Sequence, residues 1–170
     1  MSQEVLKGSA VLKSSDKPLI IVGLPRSGST LITAIVNKSK DYFVINDFYY
    51  LQKVIEINAL DGLSHEKQKK LKEYVIHMIG RRAGEFTGIK IENSSFIDKV
   101  KIDGIEKEIA DISYPSWNTL LDDILTRATN AVGKRHWGYN TPQDYFHVSL
   151  ISRSFQKPKF LYMMRHPYSV

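Results

Sequence analysis

Between residues 23 and 30 the chain reads Gly23-Leu24-Pro25-Arg26-Ser27-Gly28-Ser29-Thr30. The two glycines let the backbone turn so that successive N–H groups face inward where a helix begins. Unpaired helix-start donors and the helix dipole then favour an anion in that turn. The guanidinium of Arg26 and the hydroxyls of Ser27, Ser29 and Thr30 add further donors, and Pro25 stiffens the entry. Each hydrogen bond to a charged oxygen is worth about 1.5–3 kcal/mol, so a handful is enough to hold a phosphate ester. A triphosphate-binding loop of this spacing carries Lys directly after the second glycine, with a Ser or Thr for magnesium. Here Ser29 holds the lysine position, and the basic residue is Arg26, inside the loop. A single 5′-phosphate carrying a transferable group fits that arrangement better than a β/γ-phosphate pair. The plainer alternative is an ordinary strand–helix turn.

Several elements must position this loop. Leu19-Ile20-Ile21-Val22 is apolar and rich in β-branched residues without alternation, the pattern of a strand buried on both faces in a parallel sheet. After the loop, Leu31, Ile32, Ala34, Ile35 and Val36 recur as in a helix that ends near Lys40. Tyr42 to Ile45 is a second strand, completing a strand–helix–strand unit. His65 to Arg82 predicts a helix with Leu71, Tyr74, Val75, Met78 and Ile79 on one side, and Ser116 to Ala131 predicts another. Thr87 to Ile91 and His136 to Asn140 are short strand candidates. Thr141-Pro142 leads into a helix through Tyr145, Val148, Leu150 and Ile151, and Lys159 to Met164 predicts a buried strand. No internal repeat or linker interrupts the chain. The expectation is one α/β domain over 1–170, a three-layer parallel sheet flanked by helices, with a polar leader over 1–17 and a mainly helical insertion over 51–135. A doubly wound sheet normally continues past a strand such as 159–164 with a covering helix, so the sequence reads as cut short at its C-terminus.

The loop, with the Ile20-Ile21-Val22-Gly23 run before it, closely resembles the 5′-phosphosulfate loop of sulfotransferases that use 3′-phosphoadenosine 5′-phosphosulfate (PAPS). Two further segments extend the resemblance. Phe160 to Pro167 is similar to the family's 3′-phosphate motif, an apolar strand ending in Arg-x-Pro; the resemblance assigns Arg165 to the 3′-phosphate. The Ser that the family places further along would fall beyond Val170. Gly138 to Phe146 resembles the Lys-[ST]-Pro-x-x-Phe segment of the heparan-type and many bacterial members, whose Lys contacts the bridging oxygen or the sulfonate. Asn140 stands at that position and can donate a neutral hydrogen bond but supplies no charge. The resemblance implies a P-loop-type fold, PAPS as donor, no metal, and Pro25, Arg26, Ser27, Gly28, Ser29, Thr30 and Arg165 around the nucleotide. It covers about residues 18–50 and 136–167. The closest flavour is the carbohydrate-modifying and broad bacterial group, because the Lys-Ser-Gly-Thr-Thr-Trp loop of the phenol and steroid group is not reproduced.

Sulfonyl transfer needs in-line attack on sulfur, a base, and stabilisation of the leaving oxygen. In the carbohydrate-modifying members the base is a Glu just after the second strand, in a Lys-Glu-x-x-Phe-Phe-like run. Ile45-Asn46-Asp47-Phe48-Tyr49-Tyr50 resembles that run and makes Asp47 the expected base, with Arg26 and Asn140 beside it in the catalytic set. The end of a second strand is also expected to lie beside the phosphate loop in a parallel sheet. Asp47 could instead cap the following helix. His136 is a rival base through its nearness to Asn140 in sequence; His65, His77 and His147 lie on helical patterns. No nucleophile elbow accompanies the Ser and His residues.

Composition narrows the classes further. The 24 Lys and Arg against 18 Asp and Glu give a net charge of +6, which suits an anionic ligand. The basic stretch Lys67, Lys69, Lys70 and Lys72 is expected on a solvated helix rather than on nucleic acid. The absence of cysteine excludes a disulfide framework, a thiolate zinc site and a cysteine nucleophile, and no His pair has ligand spacing. The leader lacks a secretory apolar core, and no run approaches the ~20 apolar residues of a membrane span. A cytoplasmic enzyme acting on a small-molecule or carbohydrate acceptor is the leading expectation. A small-molecule kinase with a degenerate loop and a non-catalytic nucleotide-binding domain are the alternatives.

Overall fold

The computed structural model describes residues 17–81 and 97–164. Among the described residues four strands, β1 (Leu19–Gly23), β2 (Tyr42–Ile45), β3 (His136–Asn140) and β4 (Lys159–Met163), form one parallel sheet in the order β2-β3-β1-β4. The helices are α1 (Ser29–Asn37), α2 (Tyr50–Glu56), α3 (His65–Gly80), α4 (Lys99–Ile109), α5 (Trp117–Ala131) and α6 (Val148–Ser154), with a 3₁₀ turn at Pro142–His147. The α/β class and the parallel sheet agree with the expectation. The candidate strand at 87–91, Arg165 and residues 1–16 of the leader lie outside the described residues.

Side-chain alternation along the strands divides the sheet into two faces. Ile20, Val22, Phe43, Ile45, Trp137 and Tyr139 pack into the main core with α2, α3, α4 and α5. Leu71, Val75, Met78 and Ile79 of α3, and Leu120, Leu121, Ile124 and Leu125 of α5, are the buried stripe that their spacing predicts. Ile21 and Val44 are fully buried outside that cluster. The structure also contains α2 and α4, which the sequence showed only as part of a helical middle.

The helix after the phosphate loop is anchored differently from its apolar pattern. In α1 the buried residues are Ser29, Thr33 and Asn37, whereas Leu31 is 67% and Ile35 54% exposed. Polar bonds do the anchoring. Asn37 Nδ2 donates to the carbonyl of Val44 at 2.7 Å, and the Val44 N–H donates back to Asn37 Oδ1 at 2.8 Å. One side chain thus satisfies both backbone groups that an edge strand leaves open. Lys134 adds bonds to the carbonyls of Asn37 and Tyr42.

Two further expectations change. β4 is at the sheet edge beside β1, and its side chains are partly exposed rather than buried on both faces, with Tyr162 at 47%. The basic stretch is only partly solvated: Lys70 pairs with Glu66, and Lys67 donates to the Asn58 carbonyl. Lys72 donates to the carbonyls of Ile109, Ala110 and Ile112, so it caps the end of α4.

Candidate functional site

All four strands run the same way, so their C-terminal ends share one edge of the sheet. The chain leaves β1 toward β2 on one side and leaves β3 toward β4 on the other. The crevice between the ends of β1 and β3 is therefore the point where connections diverge, and open α/β sheets bind ligands there.

The loop over Gly23–Thr30 sits at that crevice. Arg26 at φ 64° and Gly28 at φ 89° are both left-handed, and Gly28 is the residue before α1. A left-handed arginine is uncommon, and it is part of what curls the loop. Ser27 N–H closes a turn onto the Leu24 carbonyl at 3.2 Å, and Ile32 N–H reaches the Gly28 carbonyl at 3.1 Å. No side chain caps the start of α1, so its first N–H groups keep their capacity to bind an anion. Gly23 has a separate reason to be glycine: at φ 155° a Cβ would stand 2.3 Å from the Met163 carbonyl oxygen of β4. Ser27 and Ser29 are buried, Thr30 is half-buried, and Pro25 and Arg26 are exposed at the rim.

The far wall of the crevice is the end of β3. Asn140 pairs in register with Ile21, and the Thr141 N–H donates to the Ile21 carbonyl at 3.1 Å. Both residues are fully buried. Ser27 Oγ, Thr141 Oγ1 and Asn140 Oδ1 are buried without hydrogen-bond partners. Buried polar atoms are normally satisfied, and these three belong to the loop and to the adjoining end of β3.

Asp47 reaches this wall indirectly. β3 lies between β2 and β1, so the end of the second strand is not beside the loop, contrary to expectation; Asp47 connects through β3. The Phe48 N–H donates to the Asn140 carbonyl at 3.0 Å. Asn46 Nδ2 donates to Asp47 Oδ2 at 2.9 Å, and Asn140 Nδ2 donates to Asn46 Oδ1 at 2.6 Å. Asp47 is left-handed at φ 52°, a conformation Asp tolerates. It is not a helix cap: Tyr49 holds the N-cap position of α2, with no side-chain bond. Burial raises the Asp47 carboxyl above the ordinary aspartate value, and the charge of Arg81 opposes the rise.

The rival base is far from the crevice. His136 begins β3, and its ring lies 5.3 Å from that of Tyr42. The rest of the strand separates it from Asn140, roughly 13 Å at ~3.3 Å per residue.

Beneath the wall is a group that sequence reasoning did not single out as functional. Asp144 is fully buried in the 3₁₀ turn and accepts from Gln52 Nε2 of α2 at 2.8 Å. Burial pushes its carboxyl up to about 6, while hydrogen bonds from Tyr139 and Gln52 and the nearby His147 pull the other way. Thr141 and Asn46 were likewise not named as site residues. The only signal for them was polar residue type beside the Asn140 and Asp47 positions.

A model of the sulfotransferase family matches residues 18–170. No curated protein matches the sequence. Among solved structures, the sulfotransferase STF9 from Mycobacterium avium is similar with a TM-score of 0.45 and 14% sequence identity, over 92% of this chain and 44% of that one. The chain therefore spans less than half the length of that structure.

Proposed function

Because the chain belongs to the sulfotransferase family, we propose that it holds PAPS in the β1/β3 crevice and transfers the sulfonate to a hydroxyl or amine of a small-molecule or carbohydrate acceptor. One observation carries the proposal. A left-handed glycine-rich loop opens on an uncapped helix start, with Ser29 at the lysine position and unpartnered buried hydroxyls on Ser27 of the loop and on Thr141 after β3. Such donors suit the oxygens of a phosphosulfate and leave no cation where a β/γ-phosphate bridge would need one.

In this assignment the N–H groups of Gly28, Ser29 and Thr30, with Arg26 at the rim, bind the 5′-phosphate. Pro25 fixes the entry to the turn, and Ser27 donates its hydroxyl within it. The nucleotide supplies the sulfonate and a 5′-phosphate leaving group. Asp47 accepts the proton of the acceptor's hydroxyl or amine as the new S–O or S–N bond forms and the bond from sulfur to the bridging oxygen breaks. Its raised carboxyl value makes it a better proton acceptor than an exposed aspartate once ionised. Arg165 is assigned to the 3′-phosphate. β4 supports this assignment, because it pairs with β1 up to Gly23 and Met163 and so delivers the chain to the loop's edge of the sheet. No helix among the described residues is long and apolar enough to cross a membrane, and a cysteine-free chain suits the reducing cytoplasm proposed as its location.

Calorimetric titration tests the proposal, with adenosine 3′,5′-bisphosphate and ATP as ligands, each with and without magnesium. Metal-independent binding of the bisphosphate, weakened about tenfold or more by Arg26→Ala, is the expected result. Preference for magnesium-ATP would overturn it in favour of a kinase.

A further inference from the structure

Several exposed apolar side chains stand beside the phosphate loop, on the side away from Asp47. Val22 pairs in register with Tyr162 and Gly23 with Met163, so β4 runs one strand spacing, about 4.8 Å, from the strand that feeds the loop. Tyr162 is 47% exposed, and Leu24 and Met164, which follow the last pair, are 50% and 73% exposed. The 3₁₀ turn after β3 adds two more rings. The Tyr145 ring meets that of Tyr162 edge-on at 6.4 Å and lies 3.8 Å from that of Phe146, which is 72% exposed. A single exposed apolar residue is ordinary, whereas neighbouring ones mark a binding surface. Rings of this kind bind another flat ring by stacking against its face.

Strand order decides which part of a ligand reaches these rings. Across the sheet the sequence is β2, β3, β1, β4, so the loop stands between Asp47, which follows β2, and Tyr162 on β4. A 5′-phosphosulfate carries its sulfonate on one oxygen of the phosphate and its ribose on another. With the sulfonate turned toward Asp47, where the acceptor attacks, the nucleoside extends toward β4. We propose that Tyr162 and Phe146, joined by Tyr145, form the platform on which the purine base of the donor stacks. The proposal rests on the function argued above. The acceptor is held elsewhere, on the Asp47 side of the loop.

Ring-proton NMR and affinity measurements test this on the whole chain, with adenosine 3′,5′-bisphosphate and ribose 5-phosphate as probes. Both offer a 5′-phosphate, and only the first carries a base. The ring signals of Phe146 and Tyr162 are expected to shift with the bisphosphate and to stay in place with ribose 5-phosphate. The backbone amides of Gly28 and Ser29 are expected to respond to both. Phe146→Ala and Tyr162→Ala should each weaken bisphosphate binding at least about threefold and leave ribose 5-phosphate affinity unchanged. Phe146 is mostly in solvent, so its variant decides the matter if the Tyr162 variant does not fold. Ring signals that ignore the bisphosphate while the loop amides shift, or a smaller loss of affinity, would overturn the platform and leave the proposed function standing. Ring signals that follow protein concentration instead of nucleotide would put a second copy of the chain on the patch, and would equally overturn it. Loop amides that ignore both probes would overturn the proposed function, and the platform with it.

Discussion

Replacing Asp144 by asparagine isolates the cost of burying a carboxylate under the site. The ordinary aspartate value is 3.8, and burial pushes Asp144 up to about 6. A difference of about 2 units corresponds to roughly 3 kcal/mol, at ~1.4 kcal/mol per unit. The sign follows from proton binding. Between those two values the folded state holds the Asp144 proton and the unfolded state has released it, so stability falls as pH rises through the window. Below about 4 both states are protonated and the penalty vanishes; above about 6 both are ionised and it is complete. Asp144→Asn keeps a carbonyl oxygen for the Gln52 amide and does not titrate. The variant should therefore gain on the wild type by on the order of 2–3 kcal/mol between about pH 4 and pH 7. Urea unfolding of both proteins across that range measures the difference directly, with the other carboxylates common to both. Parallel stability curves would show that Asp144 is ionised without penalty in the fold, and would refute the account of its burial.

Arg26→Gly should separate binding from folding. The left-handed arginine costs about 1–2 kcal/mol relative to an unstrained position, so the glycine variant should unfold no earlier in urea while binding bisphosphate at least tenfold more weakly. Gly23→Ala should do the reverse of a silent change. A Cβ 2.3 Å from the Met163 carbonyl oxygen forces β1 and β4 apart, and thermal unfolding should report a loss of about 2–3 kcal/mol. The Asp47 carboxyl should titrate above the ordinary aspartate range in carbon NMR. Arg81→Gln should raise it further, because the arginine charge opposes the effect of burial; a downward shift would contradict the assigned cause.

What could be read from sequence follows the physics of each element. β1 and β3 were legible because short β-branched or aromatic runs are bounded by glycine-rich or turn residues, and the loop was legible because its spacing has few other uses. α3 and α5 were legible from period 3.6 alone. The anchoring of α1 was not, because Asn37 binds the Val44 backbone across the fold while Leu31 and Ile35, the residues that look like core, face outward. Strand order is equally hidden: nothing in the sequence places β3 between β1 and β2. That insertion separates Asp47 from the phosphate loop, and Asn46 ties Asp47 to Asn140 at the end of β3 instead. The buried carboxylate of Asp144 also left no trace in its own segment, since its partner Gln52 lies on α2, a helix that the pattern did not resolve.

The central claim is that the Gly23–Thr30 loop grips the 5′-phosphate of a 3′-phosphorylated adenine nucleotide. Backbone amide NMR during titration with adenosine 3′,5′-bisphosphate tests it most directly, because it reports both binding and place. The account predicts that the largest shifts fall on Gly28, Ser29 and Thr30, with smaller ones on Asn140 and Thr141 across the crevice. Shifts concentrated instead in the cleft between α3 and α4, around Lys69, Lys72 and Glu73, with the loop unmoved, would contradict it.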